Sequence, residues 1–411
     1  MRKKQWYKLD NVGKFYSSLA DSQFQNVFRY SATIKDEINK DILQEAVKDT
    51  LEIYKNFQVN LKKGLFWYYL EETNRKYKVQ EEKLPICSKI YHNSNDFLFR
   101  VTYYNNRINF EVSHILSDGR GSVEFFKTLI SNYIIKRYQL KNISITTNNS
   151  YIEKSEDSFS KYYKKVPNNE KIVNNIYRYK EKKLKNTTRY MEAHMDVSKV
   201  LEIAHEHHVT LTVLIISVLI YSFREVLYEK DLHKNIKIEI PVDLRKYYKS
   251  TSSKNYFGLT SVVYQYHSRE DSLSDILKEV DEQLKNNLIL ENLQRRVNKL
   301  VAFEKNILCR VSPLFMKNIV LNIIDIFSRR MRTSCVSNIG VIKLDEKILP
   351  YVKDINVLCS TTDFQFILCS YEKDLSIGIS SVYKYNDVIK EFCRWFKNNG
   401  IEVTINVSEV E

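Results

Sequence analysis

The chain has 411 residues, of which 43% are hydrophobic and 28% are charged, and its formal net charge is +14. This composition, without a low-complexity tract, excludes a globally disordered protein and provides for a large core. The length is typical of two or three domains.

The basic residues are spread along the whole chain, so the positive charge has several interpretations. It suits a nucleic acid, an anionic membrane face, a phosphorylated cofactor or an acidic carrier protein. No recognised nucleic-acid motif accompanies it, and we expect no nucleic-acid partner. The simplest interpretation is a solvated basic surface.

Cysteine spacing and hydropathy indicate the compartment. The six cysteines include no C-x-x-C pair, which argues against a zinc site or a redox dithiol and favours reduced thiols. The longest apolar run, Val209 to Phe223, is too short to span a bilayer. The basic N-terminus lacks the apolar segment of a signal peptide. We therefore expect a cytoplasmic protein without a transmembrane segment.

Strands and helices alternate in the first half. A strand is predicted near Phe24 to Ile34, followed by a helix capped by Asn39 or Asp41 and by a strand-rich region from Phe57 to Tyr77.

A β-hairpin is predicted next, because two alternating runs, Leu98 to Tyr104 and Ile108 to His114, flank Asn105-Asn106. Asparagine tolerates the positive φ of a tight primed turn. The side-chain period of two puts His114 on the apolar side of the second strand, facing an interior.

A short glycine-bearing loop follows, with Asp118 and Gly119, and then a helix from about Ser122 to Tyr138. A neutral histidine at the end of a strand is well suited to accept a proton near pH 7. The simpler alternatives are that His114 is a satisfied core residue and that Asp118 only caps the helix.

Residues 141–185 are rich in Ser, Asn, Thr, Lys and Tyr and show little periodicity, and we interpret them as a long crossover loop between two halves. Two helices of the second half surround His205-Glu206-His207-His208. On a helix, His205 and His207 point about 200° apart, so they do not converge on one metal ion. We predict a solvated helix end and no metal site.

The rest of the second half also mixes strands with helices. A strand from Ile236 runs into Leu244-Arg245, where the simpler interpretation of Arg245 is an exposed cation at a strand end. The other predicted elements of this half are strands at 189–195, 257–266, 333–340, 355–361, 364–371, 375–383 and 401–405, and helices at 197–207, 211–229, 273–303, 314–327 and 385–398. Antiparallel hairpins in both halves predict an α+β (mixed α/β) fold rather than a doubly wound parallel sheet. The sequence has no P-loop, Rossmann fingerprint, G-x-S-x-G elbow or kinase signature.

The stretch from His114 to Gly119 resembles the His-x-x-x-Asp-Gly signature of the acyltransferase superfamily. This superfamily contains chloramphenicol acetyltransferase, the plant BAHD enzymes, peptide-synthetase condensation domains and bacterial alcohol acetyltransferase-like proteins. Ser113 replaces the first of the two histidines usual in condensation domains. The segment Leu9 to Tyr16 resembles the opening of the alcohol acetyltransferase-like branch. The BAHD motif Asp-Phe-Gly-Trp-Gly is absent.

Further matches occur in the order expected for this superfamily. The strand ending in Leu244-Arg245 resembles one whose arginine holds the aspartate of the histidine motif, and Asn255 to Gly258 loosely resembles the Gly-Asn-rich segment that follows. Thr333 to Gly340 is similar to a Ser-Asn-x-Gly strand that crosses near the active site.

The resemblance implies specific residue roles. His114 would deprotonate an acceptor hydroxyl, or less readily an amine, which then attacks an acyl thioester. Asp118 would be structural and paired with Arg245. Gly119 is a candidate for substrate binding, and three further candidates would bind substrate or donate to an oxyanion, with no choice among them from sequence: Ser334, Ser337 and Asn338.

The resemblance also implies the architecture and the partners. It implies two chloramphenicol acetyltransferase-like lobes, 1–187 and 188–411, that meet at a tunnel. The acyl donor would be a coenzyme A thioester used as a co-substrate, without a bound cofactor. The alternatives are a stand-alone condensation enzyme that takes its acyl group from an acyl-carrier protein, and a catalytically silent binding protein. We expect a monomer.

Overall fold

The computed structural model describes residues 5–20, 25–143, 145, 157–164, 173–185 and 187–408. These residues form strands and helices in both halves of the chain. The strands are β1 (Trp6–Lys8), β2 (Val27–Ile34), β3 (Val59–Lys63), β4 (Tyr68–Glu72), β5 (Gln80–Glu81), β6 (Phe99–Tyr104), β7 (Arg107–Ser113), β8 (Arg189–Asp196), β9 (Ile236–Asp243), β10 (Phe257–Tyr264), β11 (Ser334–Val341), β12 (Val352–Cys359), β13 (Phe364–Tyr371), β14 (Asp374–Ser381) and β15 (Thr404–Val407). The helices are α1 (Asn11–Ser18), α2 (Lys40–Ile53), α3 (Gly119–Tyr138), α4 (Ser158–Lys161), α5 (Val197–Glu206), α6 (Leu211–Val226), α7 (Leu273–Asn287), α8 (Leu290–Lys305), α9 (Ile307–Val311), α10 (Leu314–Arg330) and α11 (Asp387–Asn398).

Three sheets organise these elements. One has five strands in the order β12-β2-β7-β6-β5, one has seven in the order β10-β9-β11-β13-β14-β8-β15, and a small one has the order β1-β4-β3. Most neighbouring strands are antiparallel, but β11 runs parallel to both β9 and β13, and the short β5 runs parallel to β6. The predicted α+β (mixed) class is therefore confirmed.

The predicted hairpin is β6-β7, with Asn105 in the left-handed region at φ 49°. Its apolar face packs against α2 and α3 in the hydrophobic core of the five-stranded sheet. Its polar face is buried as well, because Glu111 accepts hydrogen bonds from Arg29, at 3.0 Å, and from Arg100. Both faces of β7 are thus fixed, which holds His114 at its end.

Strand β12 ties the two halves together. It follows elements of the second half but pairs antiparallel with β2 in the five-stranded sheet. The seven-stranded sheet approaches it so closely that a Cβ at Gly378 would lie 1.9 Å from the Val357 carbonyl oxygen. The predicted division into 1–187 and 188–411 stays a prediction, and one strand from the second segment completes the sheet of the first.

Some element bounds differ from the predictions. The single helix expected over 273–303 is two helices, α7 and α8, separated at Leu288 and Ile289, where the backbone NH of Ile289 donates to the Asn286 carbonyl. Much of the predicted crossover loop lies outside the described residues, and within it Ser158–Lys161 forms a short helix.

Within the described ranges, no single helix has the length and hydropathy needed to span a bilayer. Helices α5 and α6 pass that test only as a pair, and they are bent by 84° relative to each other.

Candidate active site

His114 lies directly after β7, in the wall of a cavity of about 1270 Å³. Its side chain is 7% exposed and sits among three aromatic rings. The ring of Tyr16 stacks on it at a centroid distance of 4.5 Å, and those of Phe28 and Phe257 lie at 4.9 Å and 5.3 Å. These rings come from α1, β2 and β10, so elements from both halves fix the plane of the imidazole.

One ring nitrogen of His114 is held by an amide. Its Nδ1 lies 2.8 Å from Oδ1 of Asn255. The amide nitrogen of Asn255 faces the carboxylate of Asp10, at 3.1–3.2 Å, and the carbonyl oxygen of His114, at 3.1 Å. Because both of those groups only accept, the amide NH₂ must point to them and Oδ1 must accept the proton on Nδ1. The neutral ring therefore keeps Nε2 as its proton acceptor.

The buried setting favours the neutral form of this histidine. Burial lowers the pKa of His114 below its ordinary value, and the hydrogen bond with Asn255 and the charge of Asp118 oppose that shift only in part. Burial also raises the pKa of Asp10 to about 6, although its hydrogen bonds counteract the effect. These shifts favour the unprotonated form of His114 and bring the pKa of Asp10 closer to neutrality.

The Asp118 carboxylate joins the histidine loop to the second half of the chain. It accepts from Nη1 and Nη2 of Arg245 at 2.9 Å and 3.2 Å, in the bidentate geometry that suits this pair. It also accepts from the backbone NH groups of Gly121 and Tyr256, both at 2.7 Å. Asp118 is 3% exposed, so this is a buried ion pair that also caps α3.

Arg245 makes contacts beyond Asp118. Its guanidinium donates to Oδ1 of Asp243 at 3.0 Å, to the carbonyl oxygen of Ser252 at 2.9 Å and to that of Lys254. The arginine therefore shapes the loop that carries Asn255. The interpretation of Arg245 as an exposed strand-end cation is wrong, since its side chain is mostly buried.

The glycines after Asp118 allow close approach. Gly119 lines the cavity, and its carbonyl accepts from the hydroxyl of Tyr30 at 2.7 Å. A Cβ at Gly121 would lie 2.3 Å from the carbonyl oxygen of Ser253. Only glycine lets the first turn of α3 pack on the loop that holds Asn255.

The three oxyanion candidates on β11 are not equivalent. Ser337 and Asn338 line the cavity, but Asn338 already donates to Thr212 Oγ1 at 2.9 Å. Ser334 lies on the same side of the strand as Val336, which packs in the hydrophobic core that the seven-stranded sheet forms with α6, α7 and α11, and its hydroxyl donates to the Phe364 carbonyl at 3.3 Å. The structure therefore does not bring Ser334 to the cavity wall.

Several residues of the site were not assigned a role from sequence. Asp10, Asn11 and Tyr16 belong to the segment that resembled the family opening, and Asn255 to the loosely matching loop, so the resemblance was the only signal. Asn11 lines the cavity, and both polar atoms of its buried side chain lack a hydrogen-bond partner among the described residues. His205 and His207 are exposed at the end of α5, in agreement with the predicted solvated helix end.

Comparisons with known proteins agree with this geometry at the level of the fold. No protein-family model and no curated protein matches the sequence. Polyketide synthase associated protein 5 from Mycobacterium tuberculosis is similar in structure, with a TM-score of 0.66 at 13% identity over 96% of this chain and 98% of that one. TRI101 of F. sporotrichioides, solved with coenzyme A and T-2, gives 0.63 at 10% identity over 97% and 99%.

The starter condensation domain of rhizomide synthetase gives a TM-score of 0.59 at 9% identity, over 96% of this chain and 95% of that domain. TRI3 trichothecene 15-O-acetyltransferase from Fusarium sporotrichioides gives 0.63 at 9% identity over 95% and 93%. An acetyltransferase and a condensation domain thus align with nearly the full length of the chain. The chain has the fold shared by condensation domains and chloramphenicol acetyltransferase-like acyltransferases.

Proposed function

We propose that the chain is an acyltransferase that moves an acyl group from a thioester to a hydroxyl acceptor, with His114 as the general base. The observation that carries this proposal is the hydrogen bond between Nδ1 and Asn255, which leaves Nε2 as the acceptor on a ring that lines a large cavity.

In the proposed reaction, Nε2 of His114 takes the proton of the acceptor hydroxyl as its oxygen attacks the thioester carbonyl. A carbon–oxygen bond forms and the carbonyl becomes a tetrahedral oxyanion. The carbon–sulfur bond then breaks, and the leaving thiolate takes the proton back from the imidazolium. General-base catalysis of this kind contributes about 10²–10⁴-fold, and positioning of both substrates supplies more.

A coenzyme A thioester is the proposed donor. Eight Lys or Arg side chains and four Asp or Glu side chains line the cavity, and this positive excess suits a donor with several phosphates. A phosphopantetheine arm on an acidic carrier protein offers the same thioester. Ser337 is the proposed oxyanion donor, because it lines the cavity and Asn338 is engaged with Thr212.

The test is thiol release from a panel of acyl-coenzyme A and acyl-carrier donors with a panel of alcohols and amines. We expect turnover that falls by about 10²–10⁴-fold in His114→Ala. His194→Ala is the control, since that histidine is partly buried and, like His114, hydrogen-bonded through Nδ1, here to Asp374 at 2.8 Å, but lies outside the cavity. Equal loss in both variants, or no turnover with any donor, would refute the proposal and leave a binding protein of this fold.

A further inference from the structure

Helix α10 exposes a continuous apolar face. Along this helix, the exposed apolar side chains fall within an arc of about 140°, given about 100° per residue. Each is between 47% and 65% exposed: Phe315, Met316, Ile319, Val320, Ile323, Ile326 and Phe327. Single exposed apolar residues are ordinary, whereas a contiguous set marks a binding surface.

Neighbouring segments extend this face. The backbone NH of Leu314 donates to the carbonyl oxygen of Leu65, at 3.0 Å, which places the turn between β3 and β4 beside the start of α10. Lys317 Nζ donates to the carbonyl oxygens of Phe66, at 2.8 Å, and Arg310, at 3.3 Å, so the end of α9 is there as well. Four more exposed apolar side chains join at this end: Leu65, Phe66, Ile307 and Val311. We call these eleven residues the α10 patch.

Positive charge surrounds the α10 patch. Lys63 and Arg310 are exposed at its N-terminal end, and Arg330 is exposed at its C-terminal end. From Ile307 to Arg330 the sequence has four Lys or Arg residues and a single acidic one, Asp325. That carboxylate is turned to the cavity side of the helix, 2.6 Å from Arg329. The patch thus combines an apolar centre with cationic ends.

We propose that the α10 patch docks on an anionic lipid membrane surface, with α10 lying in the interface. Apolar residues at the boundary of the acyl chains and cations among the headgroups are the features of interfacial helices, and the net charge of +14 adds attraction at longer range. A protein partner would match the apolar area equally well, but the cationic ends and the sparse acidic charge specifically favour anionic lipid.

The opposite face of α10 connects the proposed docking surface to the active-site cavity. Leu321, Ile324 and Ser328 line the cavity that contains His114. When the protein docks on the membrane through the α10 patch, the helix that forms one wall of the cavity therefore lies against the lipid. Together with the proposed acyl transfer, on which this step rests, the arrangement favours a lipophilic acceptor or acyl chain that is taken from the membrane.

The test is flotation of the full chain with phosphatidylcholine vesicles, with and without phosphatidylglycerol. We expect binding only to the anionic vesicles, weakened by salt. Ile319→Gln with Ile323→Gln should lower the partition coefficient at least tenfold. Arg310→Gln and Arg330→Gln should each lower it about fivefold. The matched control is Ile405→Gln with Val407→Gln, an exposed apolar pair on β15 that lies outside the patch and should leave binding unchanged.

Several outcomes would overturn the docking proposal. These are no vesicle binding, equal binding to neutral vesicles, and equal loss in the control pair. A dimer that becomes monomeric in Ile319→Gln with Ile323→Gln, without vesicle binding, would assign the face to a second copy instead. The flotation assay requires no turnover, so its result is independent of whether acyl transfer occurs. None of the four substituted residues, two in the patch and two at its ends, lines the cavity, and transfer between soluble substrates should be unchanged.

Discussion

The Asp118–Arg245 pair provides a quantitative test of how the site is held together. In Asp118→Ala, the buried Arg245 guanidinium loses its bidentate partner and α3 loses its cap. Breaking a buried pair from one side costs about 3–5 kcal/mol. Because Asp243 still accepts from Arg245 at 3.0 Å, we expect the lower end of that range.

The expected change in melting temperature follows from the size of the chain. An unfolding entropy of about 2.1 cal mol⁻¹ K⁻¹ per residue amounts to about 0.9 kcal mol⁻¹ K⁻¹ here, so a loss of about 3 kcal/mol lowers Tm by about 3–4 °C. Transfer should fall about 10²-fold in the same variant, because the loop that orients the imidazole shifts. Thermal unfolding followed by circular dichroism and thiol release at a temperature well below Tm measure the two effects separately.

A double-mutant cycle tests why Asp118→Ala should lose stability. If the cost is mainly an unpaired buried charge, Asp118→Ala with Arg245→Leu should destabilise the chain less than the sum of the two single changes. Asp243→Ala is the control, because this carboxylate bonds the same guanidinium but its side chain is more exposed, 20% against 5%. An unchanged Tm in Asp118→Ala together with lost transfer would show that the carboxylate acts in the chemistry and is not structural.

The remaining predictions concern smaller contacts. In Asn255→Ala, kcat should fall about 10²-fold, because the imidazole loses the hydrogen bond that orients it. That hydrogen bond also raises the pKa of His114 against the effect of burial, so the acid limb of the pH–rate profile should move to lower pH. An unmoved limb contradicts the assigned tautomer. Asn11→Leu removes a buried amide that has no partner among the described residues, which relieves about 1–3 kcal/mol of desolvation cost and should raise Tm by about 1–3 °C. Because Asn11 lines the cavity, kcat/KM should fall in the same variant. A lower Tm refutes this prediction. Burial lowers the pKa of His194, but the hydrogen bond to Asp374 outweighs it and the net shift is upward. The His194–Asp374 pair therefore contributes its full stabilisation below pH of about 6.5, and this contribution is lost as the pH rises through the raised pKa of His194. The Tm of the unchanged protein should decline over that pH range, and the Tm of Asp374→Asn should not.

Local patterns predicted the histidine hairpin well. Alternation with period two, an asparagine turn and a short loop before a helix are all set within about 40 residues, and each is a steric preference of the backbone. The helix capped at Asn39 is a further case, since its side chain accepts from the NH groups of Asp41 and Ile42 at 3.0 Å and 3.1 Å. Predictions of this kind need no knowledge of the tertiary fold.

Contacts between distant segments could not be predicted in this way. Asn255 lies 141 positions after His114, and Asp10 lies 245 positions before Asn255. No periodicity relates such residues, because packing of the sheets and not local geometry brings them together. The break between α7 and α8 was missed for another reason, since Lys285 and Asn286-Asn287 are only weak stop signals and no glycine or proline reinforces them. The pattern of β12 predicted a strand but not the sheet that it joins.

The placement of β12 explains how one site can be built from two halves of the chain. His114 leaves the five-stranded sheet at the end of β7, whereas Asn255 and Arg245 come from the segment between β9 and β10 of the seven-stranded sheet. A hydrogen bond of 2.8 Å between such segments requires the two sheets to be fixed to within a fraction of an ångström. Strand β12 supplies that constraint, because it is hydrogen-bonded into one sheet while its Val357 carbonyl oxygen packs against Gly378 of the other. A bulkier residue at Gly378 should therefore impair catalysis by separating the sheets, even though it touches neither the cavity nor the imidazole.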